Sequence, residues 1–170
     1  MQKKKLVVFF GKPGAGKTTL ISETFPDTKV VDVKSFVLAY KQSNILPEEK
    51  TLDGYKDMYK ALADIEDDLI VLELGTNHEV YNIEQLQSLA PKRQIYIFLC
   101  TASVETLRQR IQTRDEHFDP EALERRLQRN FPGLYITLLE EAGMRYVLLD
   151  MEQPWTDNLI LVHQRLRDNE

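Results

Sequence analysis

The sequence predicts an α/β fold in which parallel strands alternate with helices, and three observations carry that expectation. Short apolar runs recur at residues 6–10, 29–33, 69–74, 94–100 and 145–149, with the length and character of strands buried on both faces of a parallel sheet. Between them lie patterns of helical spacing, the alternation that builds βα units. The first run passes directly into Gly11-Lys12-Pro13-Gly14-Ala15-Gly16-Lys17-Thr18-Thr19, which reads G-x-x-x-x-G-K-[ST] straight after a strand. At 170 residues and 42% hydrophobic, the chain suits one domain over 1–170 with a single core.

The phosphate-loop motif carries its own chemistry. Glycines let the backbone turn with its N–H groups pointing inward, and a helix starting near Gly16 adds the positive end of its dipole. Gly11 to Thr19 therefore form an expected nest for a nucleoside triphosphate. Lys17 is expected to reach the outer phosphates and the Thr18 hydroxyl to ligate Mg²⁺.

Bulk properties narrow the partners. A net charge of -5 offers no general attraction to nucleic acid or to an anionic membrane. The one cysteine, Cys100, excludes an intrachain disulfide and a cysteine-rich zinc site, so a cytoplasmic protein is expected. Lys3, Lys4 and Lys5 precede too short an apolar run for a signal peptide, and nothing approaches a membrane span.

The second strand ends in Asp32, a carboxylate that needs a partner near the sheet. It either faces the Mg²⁺ and an acceptor hydroxyl or caps a helix over 35–40. In the third strand Glu73 interrupts an apolar run, and near the strand's carboxyl end it is expected to face the phosphate site. There it would hold the metal's water shell or accept a proton. Gly75-Thr76-Asn77-His78 follows as a loop that could touch a substrate; His78, His117 and His163 mean little alone.

Tyr55, Met58, Tyr59, Leu62 and Ile65 form a core stripe, as do Val104, Leu107 and Ile111. On the latter helix Arg110 and Arg114 share one flank and Arg108 falls on the other. Two arginines on one flank suit a phosphate clamp on a closing segment. Residues 105–129 hold six arginines and six carboxylates, a balance that argues against a nucleic-acid patch. Asp119-Pro120-Glu121 predicts a helix start running toward Asn130, with Arg125, Arg126 and Arg129 on it and Arg126 able to turn back toward the phosphates. Pro132-Gly133 breaks it, and another helix ends near Gly143. The loop at 151–156 is expected to touch a purine, with Trp155 anchoring the last helix. Leu159, Ile160, His163 and Leu166 are the expected core stripe of that helix.

With these pieces placed, the chain resembles the P-loop small-molecule kinases, which include adenylate, shikimate and related nucleoside and nucleotide kinases. The matching residues are those of the phosphate loop, Asp32, Glu73, and Arg110-Ile111-Gln112-Thr113-Arg114 with 119–127. The resemblance implies a three-layer αβα sandwich on a five-stranded parallel sheet ordered 2-3-1-4-5. It implies an ATP·Mg²⁺ donor, an acceptor region at about 34–68 and a short helical lid at about 110–130. Lys17, Asp32, Glu73, Arg110 and Arg114 become the implied catalytic groups, with Asp32 or Glu73 touching Mg²⁺ through water.

Departures from the pattern bear on the acceptor. Nucleoside monophosphate kinases place an arginine just after the third strand, whereas this chain has none before Arg93. Lys34 and Lys41 lack the planar fork that matches phosphate. The expected acceptor is thus a hydroxyl of a nucleoside or other small polar metabolite, with a monophosphate as the alternative. Lys12 matches the extra lysine of deviant-loop ATPases of the ParA and MinD type, so a partner-regulated ATPase is the alternative of another class. No base-reading motif separates ATP from GTP, and a monomer and a homodimer are both compatible with the sequence.

Overall fold

One parallel sheet organises the chain in the order β2-β3-β1-β4-β5, as expected. A computed structural model describes residues 2–40, 48–114 and 119–168. Lys41 and His117, with the rest of 41–47 and 115–118 in the expected acceptor region and lid, lie outside the described residues. The strands are β1 (Lys4–Gly11), β2 (Lys29–Asp32), β3 (Leu69–Leu74), β4 (Arg93–Thr101) and β5 (Val147–Asp150). The helices are α1 (Lys17–Thr24), α2 (Val33–Val37), α3 (Glu48–Ala63), α4 (Glu79–Leu89), α5 (Val104–Thr113), α6 (Pro120–Leu127), α7 (Gly133–Glu141) and α8 (Trp155–Arg167), with a 3₁₀ turn at Leu38–Tyr40. Among the described residues no helix is long and apolar enough to cross a membrane.

The central strand shows why apolar runs without alternation were needed. Leu6, Val8 and Phe10 enter one buried cluster with Tyr55, Met58, Leu86, Tyr135 and Leu139, while Val7 and Phe9 enter another with Leu20, Leu107, Leu127 and Val162. Helices thus cover both faces, and each fully buried side chain contributes about 1.5–3 kcal/mol. Phe9 stacks on Phe98 at a centroid distance of 5.1 Å, and Phe10 packs against Tyr135 at 4.6 Å. Below the sheet, the buried Arg93 ties strand entries together by donating to Ile65 O at 2.8 Å and Asp67 O at 3.0 Å.

Several boundaries shift from the sequence reading. β5 starts at Val147 rather than 145, and α6 ends at Leu127 short of Asn130. The α8 stripe is corrected: Asn158 and Val162 are its buried residues, Leu159 and Leu166 pack partly beneath it, and Ile160 is 52% exposed. The reason is an i,i+4 pair that faces the sheet, from which Ile160 is turned by roughly 200° in either direction. Asn158 escapes an apolar pattern because its Nδ2 donates to Asp150 O at 3.0 Å, satisfying a carbonyl at the end of β5. Trp155 opens α8 at 44% exposure and so does not anchor it by burial.

Gly54 lets α3 and α2 meet. A Cβ there would lie 2.8 Å from both Cα and Cγ2 of Val37, closer than side chains approach backbone. Gly54→Ala is therefore expected to lower unfolding free energy by about 1–3 kcal/mol, read from denaturant midpoints at unchanged slope. An unaltered midpoint would mean that α2 moves aside freely.

Candidate active site

The phosphate loop wraps between β1 and α1 with Gly14 at φ 80° and Gly16 at φ 91°, a region that disfavours side chains. No side chain caps α1, so the N–H groups of its first turn remain open to an anion. The loop is backed by α5: a Cβ on Gly14 would sit 3.0 Å from Leu107 O and 3.1 Å from Ile111 Cγ1. Lys17 folds its ammonium onto the loop, donating to Gly11 O at 2.6 Å and Lys12 O at 3.3 Å. Burial lowers its pKa, against opposing contributions from Cys100, Glu73 and Asp32, while the Arg114 charge adds to the lowering. Burial likewise pushes the Cys100 thiol up to about 12, leaving it an inert neighbour.

The two carboxylates converge because of strand register. Asp32 of β2 pairs with Glu73 of β3. Their flanking residues Val31, Leu72 and Leu74 face one core cluster, so the period of two turns Asp32 and Glu73 toward α1. Glu73, 8% exposed, accepts from Thr18 Oγ1 at 2.6 Å. Burial raises its pKa, the Thr18 bond lowers it, and the negative charge of Asp32 raises it again. Asp32 also caps α2, accepting from the Lys34 N–H at 2.9 Å, so the two readings of this residue coexist.

The lid arginines divide. Arg110 reaches back with Nη1 to Gly14 O at 3.4 Å and Ala15 O at 3.3 Å, and with Nη2 to Met151 O at 2.6 Å. It braces the loop from behind and joins it to the segment after β5. Arg114, which ends α5, is exposed and close enough to oppose the charge on Lys17. Arg108, on the other flank, pairs with Glu124 of α6 at 2.5 Å. Lys12 is 7% exposed, and its Nζ donates to Leu127 O at 2.6 Å.

Beyond the carboxylates lies a polar group that the sequence reading took for core. Tyr55 donates to Asn77 Oδ1 at 2.8 Å, Tyr59 to Asn82 Oδ1 at 2.6 Å, and Asn82 Nδ2 to Asn77 O at 3.0 Å. Tyr55 is held neutral by burial, with the Gly75 backbone, the Arg129 and Arg126 charges opposing and Asp32 reinforcing. The charges of Arg126, Arg129 and Asp32 thus all act on the Tyr55 hydroxyl. Arg126 is open to solvent, yet burial by the surrounding atoms lowers its pKa first, with Arg129 adding to the lowering. His78 sits at φ 57° at the start of α4, its ring edge-on to Tyr55 at 5.3 Å. The signal available in the sequence was polar-tipped tyrosines in an otherwise apolar stripe facing the loop at 75–78.

On the opposite flank the segment after β5 is tied to α5. Glu152 accepts from Thr106 Oγ1 at 2.5 Å and from Ser103 Oγ at 3.3 Å. A cavity of about 280 Å³ opens beside it, lined by Lys12, Thr101, Phe131, Pro132 and Asp150 among others. Of the segment 151–156, Met151 lies next to Arg110 and Gly16, its carbonyl accepting from Arg110 Nη2 at 2.6 Å and its Cε standing 3.5 Å from where a Cβ at 16 would lie.

A triphosphate fits this arrangement: an uncapped helix start and a buried ammonium on one loop. Magnesium fits through a hydroxyl and a carboxylate in contact. Among the described residues no three acidic, histidine or cysteine side chains cluster, so such a metal would draw its other ligands from phosphate and water.

No protein-family model and no curated protein matches the sequence. Solved structures are similar in fold. A gluconokinase from Sinorhizobium meliloti 1021 aligns over 99% of this chain and 97% of its own, at 18% identity and TM-score 0.65. A shikimate kinase from Acinetobacter baumannii in complex with shikimate aligns over 98% and 94%, at 18% identity and TM-score 0.63. A deoxyadenosine kinase from M. mycoides with bound dATP aligns over 95% and 98%, at 17% identity and TM-score 0.56. The chain thus has the P-loop kinase fold along nearly its whole length.

Proposed function

We propose that the protein transfers the γ-phosphoryl group of ATP to a hydroxyl of a small polar acceptor. The observation that carries this reading is the 2.6 Å contact between Thr18 of the phosphate loop and Glu73 at the end of β3. It joins the group expected to hold a metal to the acid expected beside it. The fold shared with kinases named for gluconate, shikimate and deoxyadenosine supports the same reading.

Magnesium, when bound with the nucleotide, supplies positive charge at the phosphate oxygens; Thr18 would hold it directly and Glu73 through water. Lys17 exchanges its two backbone carbonyls for the oxygens of the transferring group, whose negative charge matches a desolvated ammonium better than neutral carbonyls do. Arg114 adds charge from the lid, and Arg110 keeps the loop in shape. Asp32, whose charge acts on Tyr55, orients the acceptor hydroxyl and takes its proton. Tyr55 and Asn77 position the acceptor, while Arg126 and Arg129 close over it and exclude water.

The test is ADP release with ATP and Mg²⁺ across nucleosides, nucleoside monophosphates, gluconate, shikimate and other hydroxylated metabolites. Release that depends on one hydroxyl compound, and is lost in Lys17→Ala, is expected. Slow release that no acceptor changes would point instead to a partner-regulated ATPase.

A further inference from the structure

We propose that Lys12 is a positioning residue whose ammonium holds the end of lid helix α6 and thereby sets where the neighbouring Arg126 and Arg129 stand. A lysine in a phosphate loop would ordinarily be assigned to the phosphates. Here the Lys12 side chain is directed elsewhere: it is 7% exposed and its Nζ lies 2.6 Å from Leu127 O, across 115 residues of sequence. Leu127 is the last residue of α6, where carbonyls lack helical partners and the dipole favours a cation. Among the described residues Lys12 pairs with no carboxylate, so a buried cation is committed to that carbonyl. Such an arrangement carries a desolvation cost that one neutral acceptor offsets only in part, and the task that retains it is positional.

The task follows from the neighbours. Arg126 and Arg129 lie within two residues of Leu127 in the chain, and both charges act on Tyr55. The Leu127 side chain is fully buried in the cluster beneath α5, so the last turn of α6 is held by apolar packing as well as by the Lys12 hydrogen bond. A cavity of about 280 Å³ lies beside Lys12, Phe131 and Pro132 of the α6–α7 linker. The Lys12 hydrogen bond is a polar tie between the end of α6 and the loop that would carry the nucleotide. Loop and lid are thereby one mechanical unit.

This inference rests on the kinase reading only for its catalytic readout. The experiment compares wild type, Lys12→Met and Lys12→Arg by amide hydrogen exchange, by affinity for a fluorescent ATP analogue with Mg²⁺, and by steady-state transfer. Losing a hydrogen bond to a charged donor should speed exchange at 123–131 by about tenfold or more in Lys12→Met, with β1 and β4 unchanged. Analogue affinity should stay within about threefold while acceptor KM rises about tenfold, and Lys12→Arg should restore most of the lid protection. Unchanged exchange at 123–131, or analogue affinity falling as much as transfer, would overturn the assignment by returning Lys12 to the phosphates or to mere packing. Should Lys12→Met lose protection throughout the sheet, Lys12→Arg decides: lid protection restored supports the tie, lid protection still lost overturns it. If no acceptor is found for the wild type, the kinase reading fails while exchange and affinity still judge Lys12.

Discussion

Lys17→Ala is expected to abolish phosphoryl transfer, by about a thousandfold or more in kcat, with the fold retained. Transfer moves negative charge onto oxygens that must be met by preorganised cations, and Lys17 is the buried ammonium inside the loop. Its present partners are two backbone carbonyls, Gly11 O and Lys12 O, both exchangeable for phosphate oxygens. Neither carbonyl depends on the lysine for the strand and helix that flank it. Burial lowers the pKa of this ammonium, so the folded chain bears a desolvation cost that alanine removes. The thermal midpoint should therefore hold or rise while activity disappears. Appreciable transfer by a folded Lys17→Ala protein would remove the central claim.

Glu73→Gln is expected to lower kcat by about a hundredfold and to leave the protein at least as stable at neutral pH. The amide keeps an oxygen for the Thr18 hydroxyl, so packing survives, but the charge that would hold the metal's water is lost. The pH dependence has a definite sign. Burial is the leading cause lifting this carboxyl above its ordinary 4.5, so the folded protein keeps its proton to higher pH than the unfolded chain. Where the folded state binds more protons, stability falls as pH rises. Wild type should lose this contribution between the ordinary value and the lifted one, and Glu73→Gln should lack that fall. Denaturant titrations on both sides of the window measure it; parallel curves would show that Glu73 is better solvated than its burial implies. In activity, the acid limb of the wild-type profile should sit above that of an ordinary glutamate.

How far the sequence reached can be judged residue by residue. A nest for phosphate needs glycine where φ is positive, a lysine and a hydroxyl at fixed offsets, and a strand before them, all local requirements legible from 6 to 19. The anomaly of Glu73 was legible too, because a charge inside an apolar run has few explanations. Sheet order came from the family resemblance, and the register bears it out. The acceptor side was hidden, since Tyr55, Tyr59 and Asn82 satisfy helical patterns, and only packing shows that Tyr55 and Asn82 bond to Asn77 while Tyr59 bonds to Asn82.

What the sequence by itself determined is the layered α/β design and its phosphate loop, because both follow from short-range spacing and from apolar runs that must be buried on two faces. Tertiary structure alone decided the direction of long, polar side chains. Arg110 went to the loop's carbonyls, Lys12 to the end of α6, and Asp32 to the cap of α2. A flexible cation or carboxylate takes the partner that folding brings within hydrogen-bond reach, and that partner can lie a hundred residues away.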